Sequence, residues 1–315
     1  MQKGRNGLRK GSLRTFCLSL SAILQFCNPA ISAQGPAADI RPFHVQGNVH
    51  MLVGAGGNVV VQIGDEGVLV VDPGLAQMSD QVLDAIRQLS DKPIRWIVNT
   101  HMHADHTGAN EAVSKAGSTV SGQPAAIIAH ERVLTRMTEA NIATAGRPLN
   151  TYYGETKDFF FNHESIVLYH DAAAHTDGDS IVFFRRSDVL VAGDLYVTTT
   201  YPVIDLKNGG GVQGVINGLN RILNLAVPEH QQEGGTFVIA GHGRVSDEAD
   251  VLEYRDMVVI IRDRIRDMIK KGMTLEQVKA ARPSLDYDRQ YGAETGFWTT
   301  SMFIEAMYRD LSQKK

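Results

Sequence analysis

Four side chains that can bind a divalent metal lie within six residues of this 315-residue sequence. They are His101, His103, Asp105 and His106, in the run His-Met-His-Ala-Asp-His. Imidazole nitrogens and carboxylate oxygens are common ligands of zinc. Three imidazoles and a carboxylate packed this closely are costly to bury together unless a cation organises them. The run therefore predicts a metal site, in preference to a chance cluster of surface residues.

Three further side chains that can bind metal occur later in the sequence, each close to glycine. His175 stands in Ala-His-Thr-Asp-Gly, Asp194 in Ala-Gly-Asp and His242 in Gly-His-Gly. Glycine lets the backbone turn sharply and leaves room for a substrate. Taken singly, each residue would more often belong to a turn, a helix cap or a structural histidine. Following the first cluster in this order, they predict additional ligands of the same site.

Apolar segments precede these residues and predict the elements that position them. The strand predicted over residues 94–99 ends shortly before His101, and the apolar run 189–192 ends just before Asp194. Folds of the α/β class place their chemistry where strands open into loops. Further strands are predicted over 43–63 (interrupted by the glycine-rich residues 54–58), 67–71, 125–129, 165–169, 180–184 and 237–240. Helices are predicted over 79–89, 110–116, 246–271, 274–281 and 295–312.

The helix predicted over 295–312 carries a stripe of large apolar side chains that is expected to face the core. Its members are Phe297, Trp298, Met302, Phe303 and Met307. Strands and helices alternate without an evident linker, which predicts a single domain of the α/β class.

The order of the potential ligands resembles the pattern of the metallo-β-lactamase superfamily, in which His-x-His-x-Asp-His is followed by His, by Asp or Cys, and by His. Here that pattern runs from His101 to His242. Asp72, at the end of the predicted strand 67–71, resembles the first motif of that fold, so that the resemblance covers essentially the whole chain after residue 33. It implies a four-layer αββα sandwich, with two sheets face to face, helices outside and metals at one edge.

The resemblance also implies two zinc ions (Zn²⁺) per chain and a role for each ligand. By the superfamily pattern, Asp194 would bridge the two ions, and Asp72 would support a ligand without binding metal itself. The first ion would be bound by His101, His103 and His175, and the second by Asp105, His106 and His242.

Ligand chemistry is consistent with that implied set. Three neutral imidazoles leave zinc one open position, as catalytic zinc requires. Carboxylates offset the charge of two dications held roughly 3.5–4 Å apart. Zinc lowers the pKa of bound water towards ~7, so that a hydroxide between the ions would be the nucleophile. Asp105 would orient this hydroxide and carry its proton, which makes Asp105 the predicted catalytic residue.

The glycine-rich segment after Asp194 is expected to contact the substrate. Tyr196, Tyr201, Lys207 and Asn208 are the candidates, because they place polar groups in a loop near the bridging aspartate. The alternative is an ordinary loop without a role in binding.

The first 33 residues have the composition of a secretory signal peptide. Basic residues come first without an acidic one, an apolar stretch runs from Phe16 to Phe26, and small residues end the segment at Ala33. That order predicts cleavage after Ala33 and a periplasmic or secreted protein with no stable membrane association. A retained membrane anchor is the alternative, but the apolar stretch is short for a span. Residues 34–315 are then the metallo-β-lactamase-fold domain.

Removing this segment changes the cysteine count and the charge. Both cysteines, Cys17 and Cys27, lie within it, so that residues 34–315 contain no thiolate for catalysis or metal binding. Of the 31 basic residues 5 are removed and 26 are left, against 35 acidic residues, which gives a net charge of about −9. Such a charge disfavours nucleic acid as a partner. A small-molecule substrate is expected, and the oligomeric state is left open.

The resemblance and the predicted export together favour an exported zinc-dependent hydrolase that opens a cyclic amide or ester. A β-lactam is the first expectation, because β-lactams act outside the cytoplasm. Asp194, however, stands where one branch of β-lactamases has a cysteine, and Val197 stands where that branch has a lysine for the antibiotic carboxylate. The aspartate is similar to that of lactonases and glyoxalase II-type thiolesterases, which are the alternatives.

Two more remote functions stay open. Sulfur dioxygenases of the same fold share the first motif but use a single iron. A non-enzymatic periplasmic metal-binding protein is the other, although such proteins rarely keep an open zinc position beside a bridging carboxylate.

Overall fold

Two β-sheets pack face to face, with helices on the outer side of each, in the computed structural model of the chain. The structure describes residues 40–232 and 234–313. The predicted signal peptide, residues 1–33, lies outside the described residues. Among the helices of the described part, none combines the length and the hydropathy that a membrane span requires.

The first sheet has seven strands, which neighbour one another in chain order. They are β1 (Arg41–Gln46), β2 (Val49–Val53), β3 (Val59–Gly64), β4 (Gly67–Val71), β5 (Ile94–Val98), β6 (Ala126–His130) and β7 (Asn150–Tyr152). The pairs from β1 to β4 are antiparallel, and those from β4 to β7 are parallel. The carboxyl ends of β4 to β7 therefore lie at one edge of this sheet.

The second sheet has six strands. They are β8 (Thr156–Phe161), β9 (Glu164–Asp171), β10 (Asp179–Phe184), β11 (Val189–Val191), β12 (Phe237–Ile239) and β13 (Val245–Ser246). Their order is β13-β12-β11-β10-β9-β8; β11 and β12 run parallel, and the other neighbours are antiparallel.

Helices connect the strands and cover the outer faces of the sheets. They are α1 (Ser79–Leu89), α2 (Ala104–Thr107), α3 (Asn110–Ala116), α4 (Glu131–Glu139), α5 (Val212–Leu225), α6 (Glu248–Lys270), α7 (Leu275–Ala281), α8 (Asp288–Tyr291) and α9 (Thr300–Gln313). The start of α6 follows from a capping box. Asp247 accepts a hydrogen bond from the Asp250 N–H at 3.0 Å, and the Asp250 carboxylate accepts one from the Asp247 N–H at 3.3 Å.

Side chains along the strands alternate between two cores, which produces the four layers. In β4, Leu69 and Val71 face the second sheet, whereas Val68 and Val70 pack with α1 and α3. On the far side, residues of the second sheet such as Leu190 pack with α5, α6 and α9. The αββα sandwich implied by the resemblance is confirmed.

Several elements were not predicted from the sequence, among them two edge strands and a glycine-containing helix. Strands β7 and β8 and helices α4 and α5 are absent from the predicted elements. Helix α5 contains Gly214 and Gly218, which lower its intrinsic helix propensity. A side chain at Gly214 would overlap the backbone of Ala173, so that glycine permits the close approach that stabilises α5.

The C-terminal helix begins at Thr300, later than predicted. Phe303 and Met307 are buried in the core, as expected. The expectation is wrong for Phe297, which is 85% exposed, and for Met302, which is 43% exposed. Phe297 and Trp298 belong to the loop before α9, because Gly292 and Gly296 interrupt the helical pattern.

Candidate active site

The predicted ligands meet at one edge of the two sheets. His101, Asp194 and His242 each stand three residues beyond the end of a strand, of β5, β11 and β12 respectively. His175 stands shortly before β10, which runs antiparallel to β11 and therefore begins at the same edge. The loops that leave both sheets thus bring together residues that are far apart in the chain.

Three histidines form the first group of potential ligands, called the first trio: His101, His103 and His175. One ligand atom from each lies within 4.8 Å of the others. Nδ1 of His103 and Nε2 of His175 are 2.8 Å apart. Zinc bound tetrahedrally to imidazoles separates the nitrogens by about 3.3 Å, so a small outward movement of these rings would admit such an ion.

Asp105, His106 and His242 form the second trio. Nε2 of His242 lies 3.2 Å from Asp105 Oδ2 and 3.4 Å from His106 Nε2. The glycine-rich tip between β2 and β3 covers this trio, with the Gly57 N–H donating to the Asp105 carbonyl at 3.0 Å. A side chain at Gly57 would overlap the His106 ring, so the close approach requires glycine there.

Asp194 lies between the two trios, with one carboxylate oxygen towards each. Oδ2 is 4.0 Å from His101 Nε2 and 3.7 Å from His175 Nε2. Oδ1 is 3.2 Å from His106 Nε2 and 3.5 Å from His242 Nε2. This is the placement that a carboxylate bridging two metal ions requires.

The donor set fits divalent metal ions. Among the described residues, His101 Nε2 and Asp194 Oδ1 are buried without a hydrogen-bond partner. Buried polar atoms are normally paired, and both of these atoms face the trios. Neutral imidazoles and carboxylates are the ligand types that zinc takes in catalytic sites. The two trios and Asp194 could therefore hold two ions.

Asp72 lies outside both trios and orients one histidine of each. Its Oδ2 lies 2.9 Å from His106 Nδ1 and accepts the Thr100 hydroxyl at 2.5 Å. Because that hydroxyl has a single hydrogen, Thr100 Oγ1 must accept from His101 Nδ1, 3.0 Å away. Nε2 of both histidines is thereby left to face the trios. These bonds occupy the Asp72 carboxylate, so we assign it a supporting role and no metal.

The other two histidines of the first trio are oriented by the loop after Asp194. His175 Nδ1 donates to the Val203 carbonyl at 2.7 Å. His103 Nε2 donates to Asp205 Oδ2 at 3.0 Å. Asp205 was not among the predicted site residues, although Lys207 and Asn208 in the same loop were. An aspartate in a loop has no local pattern that shows which histidine it will meet.

Burial and charge shift the pKa values in this cluster in opposite directions. Burial lowers the pKa of His101 well below its ordinary value, and that of His175 below its ordinary value. Burial also lowers the pKa of His106, but the nearby carboxylates Asp194 and Asp72 outweigh it and raise that pKa well above the usual range. Burial alone would raise the pKa of Asp194, yet His106 and the other imidazoles hold it well below its ordinary value. The position between the trios therefore strongly attracts positive charge.

A cavity of about 620 Å³ opens onto both trios. The residues that line it are His103, Ala104, Asp105, His175, Asp194, Val197, Thr199, Thr200, Val203, Asp205, His242, Ala293, Thr295, Phe297 and Trp298. Its size suits a small molecule. Phe297 and Trp298 were expected to face the core, against which Trp298 does pack, and their place in the cavity lining was not predicted.

Of the four residues expected to contact substrate, none lines this cavity. Tyr196 and Tyr201 are only 2% and 1% exposed, because their rings pack in the core with α5, α6 and α9. The Tyr196 hydroxyl donates to Ser246 Oγ at 2.9 Å. The prediction is therefore wrong for both tyrosines, and Thr199 and Thr200 between them reach the cavity instead.

Lys207 and Asn208 also lie outside the cavity lining. Lys207 is exposed. Asn208 donates through its backbone N–H and its side chain to the Asp205 carboxylate, at 3.1 and 2.5 Å. Asn208 thus acts on the site through Asp205 and His103, rather than by touching a substrate in the cavity.

Comparison with known proteins identifies the family. The model of the metallo-beta-lactamase superfamily matches residues 52–259. A type 2 metallo-beta-lactamase of Elizabethkingia meningoseptica is 25% identical over 203 residues, which cover 64% of this chain and 74% of that enzyme. A linear primary-alkylsulfatase of Pseudomonas sp. (strain ATCC 19151) is 38% identical over 82 residues, which are 26% of this chain and 14% of that enzyme.

Solved structures share the fold at low sequence identity. The stereoselective inverting sec-alkylsulfatase Pisa1 from Pseudomonas sp. matches 86% of this chain and 50% of its own, with a TM-score of 0.67 at 17% identity. A metallo-beta-lactamase from Pontibacter korlensis matches 70% of this chain and 99% of its own, with a TM-score of 0.57 at 16% identity. The chain thus spans half the length of that sec-alkylsulfatase and a much smaller part of the linear alkylsulfatase. Because the family model covers most of the chain and both trios lie in the fold it describes, the chain belongs to the metallo-β-lactamase superfamily and is a metal-dependent hydrolase.

Proposed function

We propose that this protein is an exported binuclear zinc hydrolase that opens a cyclic amide or ester of a small molecule. The observation that carries the proposal is the placement of Asp194, which directs one carboxylate oxygen at each trio. When bound, two zinc ions would lower the pKa of a water molecule towards ~7 and polarise the substrate carbonyl.

Asp105 is the residue that would move the proton. It lines the cavity, and its side chain is about one-third exposed, so that both water and substrate can reach it. Burial raises the pKa of Asp105, but hydrogen bonding to His242 and the charge of His106 outweigh it and leave that pKa below its ordinary value. At neutral pH the carboxylate is therefore ionised, as a proton acceptor must be.

The reaction consumes one water molecule for each substrate molecule. The water oxygen adds to the carbonyl carbon, and one of its protons passes to Asp105. The carbonyl carbon then separates from the amide nitrogen or the ester oxygen, and Asp105 returns the proton to that leaving atom. The products are a carboxylic acid and an amine or alcohol, joined in one molecule when the substrate is a ring.

Among such substrates, a β-lactam is supported by the similarity to the Elizabethkingia enzyme and by the proposed export. Val197 lines the cavity and stands where one branch of β-lactamases has a lysine for the antibiotic carboxylate. An uncharged side chain at this position supports a lactone or thioester as the substrate. A sulfate ester is a second candidate function, because an 82-residue segment is 38% identical to a linear primary-alkylsulfatase.

Metal analysis and a substrate screen on the protein lacking residues 1–33 test the proposal. We expect two zinc ions per chain and hydrolysis of at least one β-lactam, lactone, thioester or sulfate ester. His103→Ala and Asp194→Ala should lower kcat/KM by more than a hundredfold, whereas the exposed-site controls His163→Ala and Asp65→Ala should not. One iron per chain, or turnover that survives in both site variants, would contradict the proposal.

Export is tested separately. The proposed leader, with its basic and apolar segments, should direct the full-length chain out of the cytoplasm and be removed after Ala33. Fractionation of the native host, followed by N-terminal sequencing of the mature chain, measures both. Recovery of the intact chain from the cytoplasm would rule out export without affecting the proposed chemistry.

A further inference from the structure

The loop of residues 292–299, between α8 and α9, is fixed at its base and reaches the cavity with its middle; we call it the aromatic loop. The Thr300 N–H donates to the Ala293 carbonyl at 2.9 Å, and the Ala293 N–H donates to Thr300 Oγ1 at 3.1 Å. Beyond this closed base, Thr295, Phe297 and Trp298 line the cavity. The loop is therefore held in place while its apolar side chains face the site.

Each aromatic side chain of this loop lacks a contact that the described part of the protein could have given it: a cover for the Phe297 ring and a hydrogen-bond acceptor for the Trp298 N–H. Phe297 is 85% exposed, although an aromatic ring gains free energy when it is covered. Trp298 Nε1 is buried without a hydrogen-bond partner among the described residues, which is uncommon for a donor. A substrate with an apolar group would cover Phe297, whereas the buried Trp298 N–H is not offered to the cavity.

Apart from the histidines, the charged side chains that line the cavity are all negative. Asp105, Asp194 and Asp205 line it, and no lysine or arginine is among the described residues that do. Arg244, close to His242 in the chain, is engaged by Asp250 through two hydrogen bonds of 2.6 Å. A carboxylate at the end of the acyl group, held against the aromatic loop and away from the metal ligands, would therefore be desolvated against apolar side chains without a cationic partner.

From these observations we infer that the aromatic loop selects uncharged substrates with an apolar acyl group, such as esters, thioesters or lactones. The inference rests on the proposed hydrolase function and narrows its substrate class. In the reaction, water adds to the acyl carbon, the bond from that carbon to oxygen or sulfur breaks, and the proton goes to the leaving atom.

Two matched series of 4-nitrophenyl esters, assayed with the zinc-loaded protein, test the substrate class. In the neutral series the straight acyl chain grows from two to eight carbons, and kcat/KM should rise up to about fourfold per methylene until the cavity is filled. The second series carries a terminal carboxylate on chains of the same length. Its kcat/KM should be about a hundredfold lower.

Phe297→Ala tests the loop itself. It should lower kcat/KM for the eight-carbon ester about tenfold and leave the two-carbon ester within twofold. Phe160→Ala is the matched control, because Phe160 is 68% exposed and lies outside the cavity lining. Since both rings are largely exposed, neither variant should alter folding, which the circular dichroism spectrum checks.

Thr295→Lys tests the charge argument, because Thr295 is exposed and lines the cavity. The new cation should raise kcat/KM for the carboxylate esters about two- to fivefold and leave the neutral esters nearly unchanged. Thr295→Met, which has a long uncharged side chain, should not do so.

The outcomes separate the inference from the proposed function. Equal hydrolysis of both series, or an unchanged chain-length dependence in Phe297→Ala, would overturn the inference while leaving a metal-dependent hydrolase. Hydrolysis of a carboxylate-bearing β-lactam at a higher kcat/KM than any neutral ester would also overturn it. Hydrolysis that persists in Asp194→Ala, or no hydrolysis of any ester, thioester, lactone, β-lactam or sulfate ester, would instead refute the proposed function.

Discussion

The imidazole of His103 is oriented by a residue of a distant segment. Its Nδ1 lies 2.8 Å from His175 Nε2, and its Nε2 donates to Asp205 at 3.0 Å. Burial would raise the pKa of Asp205, but the hydrogen bonds from His103 and Asn208 hold it well below its ordinary value. A permanently charged acceptor fixes the His103 tautomer with the Nδ1 lone pair towards the first trio. Asp205 is therefore a positioning residue of this ligand.

Asp205→Ala is predicted to weaken zinc binding about 10- to 100-fold, because His103 loses the acceptor that fixes its ring. Competition with a chromophoric chelator measures this affinity directly, without reference to activity. Asp205→Asn keeps an acceptor oxygen and should recover part of the loss. Asp65→Ala, at a side chain 94% exposed, serves as the control. An affinity equal to that of the wild-type protein in Asp205→Ala would show that the hydrogen bond has no positioning role.

At the scale of elements, the ends of β6 and β9 are joined by a pair of stacked histidines. The rings of His130 and His170 lie 3.5 Å apart at an angle of 9°. Burial, and then the proximity of His170, lowers the pKa of His130 to about 4. The pKa of His170 is also lowered, mainly by burial. Both rings are therefore neutral in the folded protein at neutral pH.

This pair is predicted to make the fold sensitive to mild acid. In the unfolded chain, histidine takes up a proton near its ordinary pKa of 6.5, whereas folded His130 does so only near pH 4. The unfolded state binds more protons between these values, so stability is full above pH 6.5 and decreases as the pH falls towards 4. The loss from His130 should be roughly 1–3 kcal/mol.

Thermal unfolding of the zinc-loaded protein between pH 7.5 and 4 measures the effect. His130→Gln should flatten the pH dependence of Tm relative to the wild-type protein. His163→Gln should keep the wild-type slope, since that side chain is 64% exposed. Comparing variants with the wild-type chain removes the contribution of the metal ligands, which titrate in all three proteins. Identical slopes in all three would mean that the stacked pair does not control acid stability.

At the scale of the whole molecule, the site lies where the two sheets meet. The loops after β4 and β5 of the first sheet supply Asp72 and the histidines of the His-x-His-x-Asp-His run. The loops around β10, β11 and β12 of the second sheet supply His175, Asp194 and His242. The proposed metal ions would therefore join the two halves of the sandwich, and both trios are completed only when the sheets pack together.

Removal of metal is consequently predicted to destabilise the fold. Zinc at a concentration one hundred times its Kd stabilises the folded state by about 2.7 kcal/mol, because it binds the assembled site and not the open chain. For a domain of this size, chelator treatment should lower Tm by about 5 °C or more. Scanning calorimetry with and without added zinc measures the shift. Asp194→Ala should show little zinc-dependent shift, and a zinc-independent Tm in the wild-type chain would contradict the prediction.

The sequence determined which residues could bind metal and the class of the fold. His101 to His106 lie together because they occupy one strand end, a local arrangement that spacing alone reveals. The alternation of strands and helices predicted an α/β domain, and the four-layer sandwich was implied by the resemblance to the superfamily. Edge strands such as β7 and glycine-containing helices such as α5 escaped prediction, because packing against distant residues stabilises them against weak local propensity.

Only the tertiary structure decided which loops surround the ligands. Tyr196 and Tyr201 follow Asp194 closely in the sequence, yet their rings are buried in the core with the C-terminal helices. Phe297 and Trp298 are remote from every ligand in the sequence, yet they line the cavity. The physical reason is that a local pattern encodes periodicity and ligand type, whereas the contacts of a loop depend on where the packing of whole helices brings it. The cluster of potential metal ligands could therefore be predicted from the sequence, and the side chains that line the cavity could not.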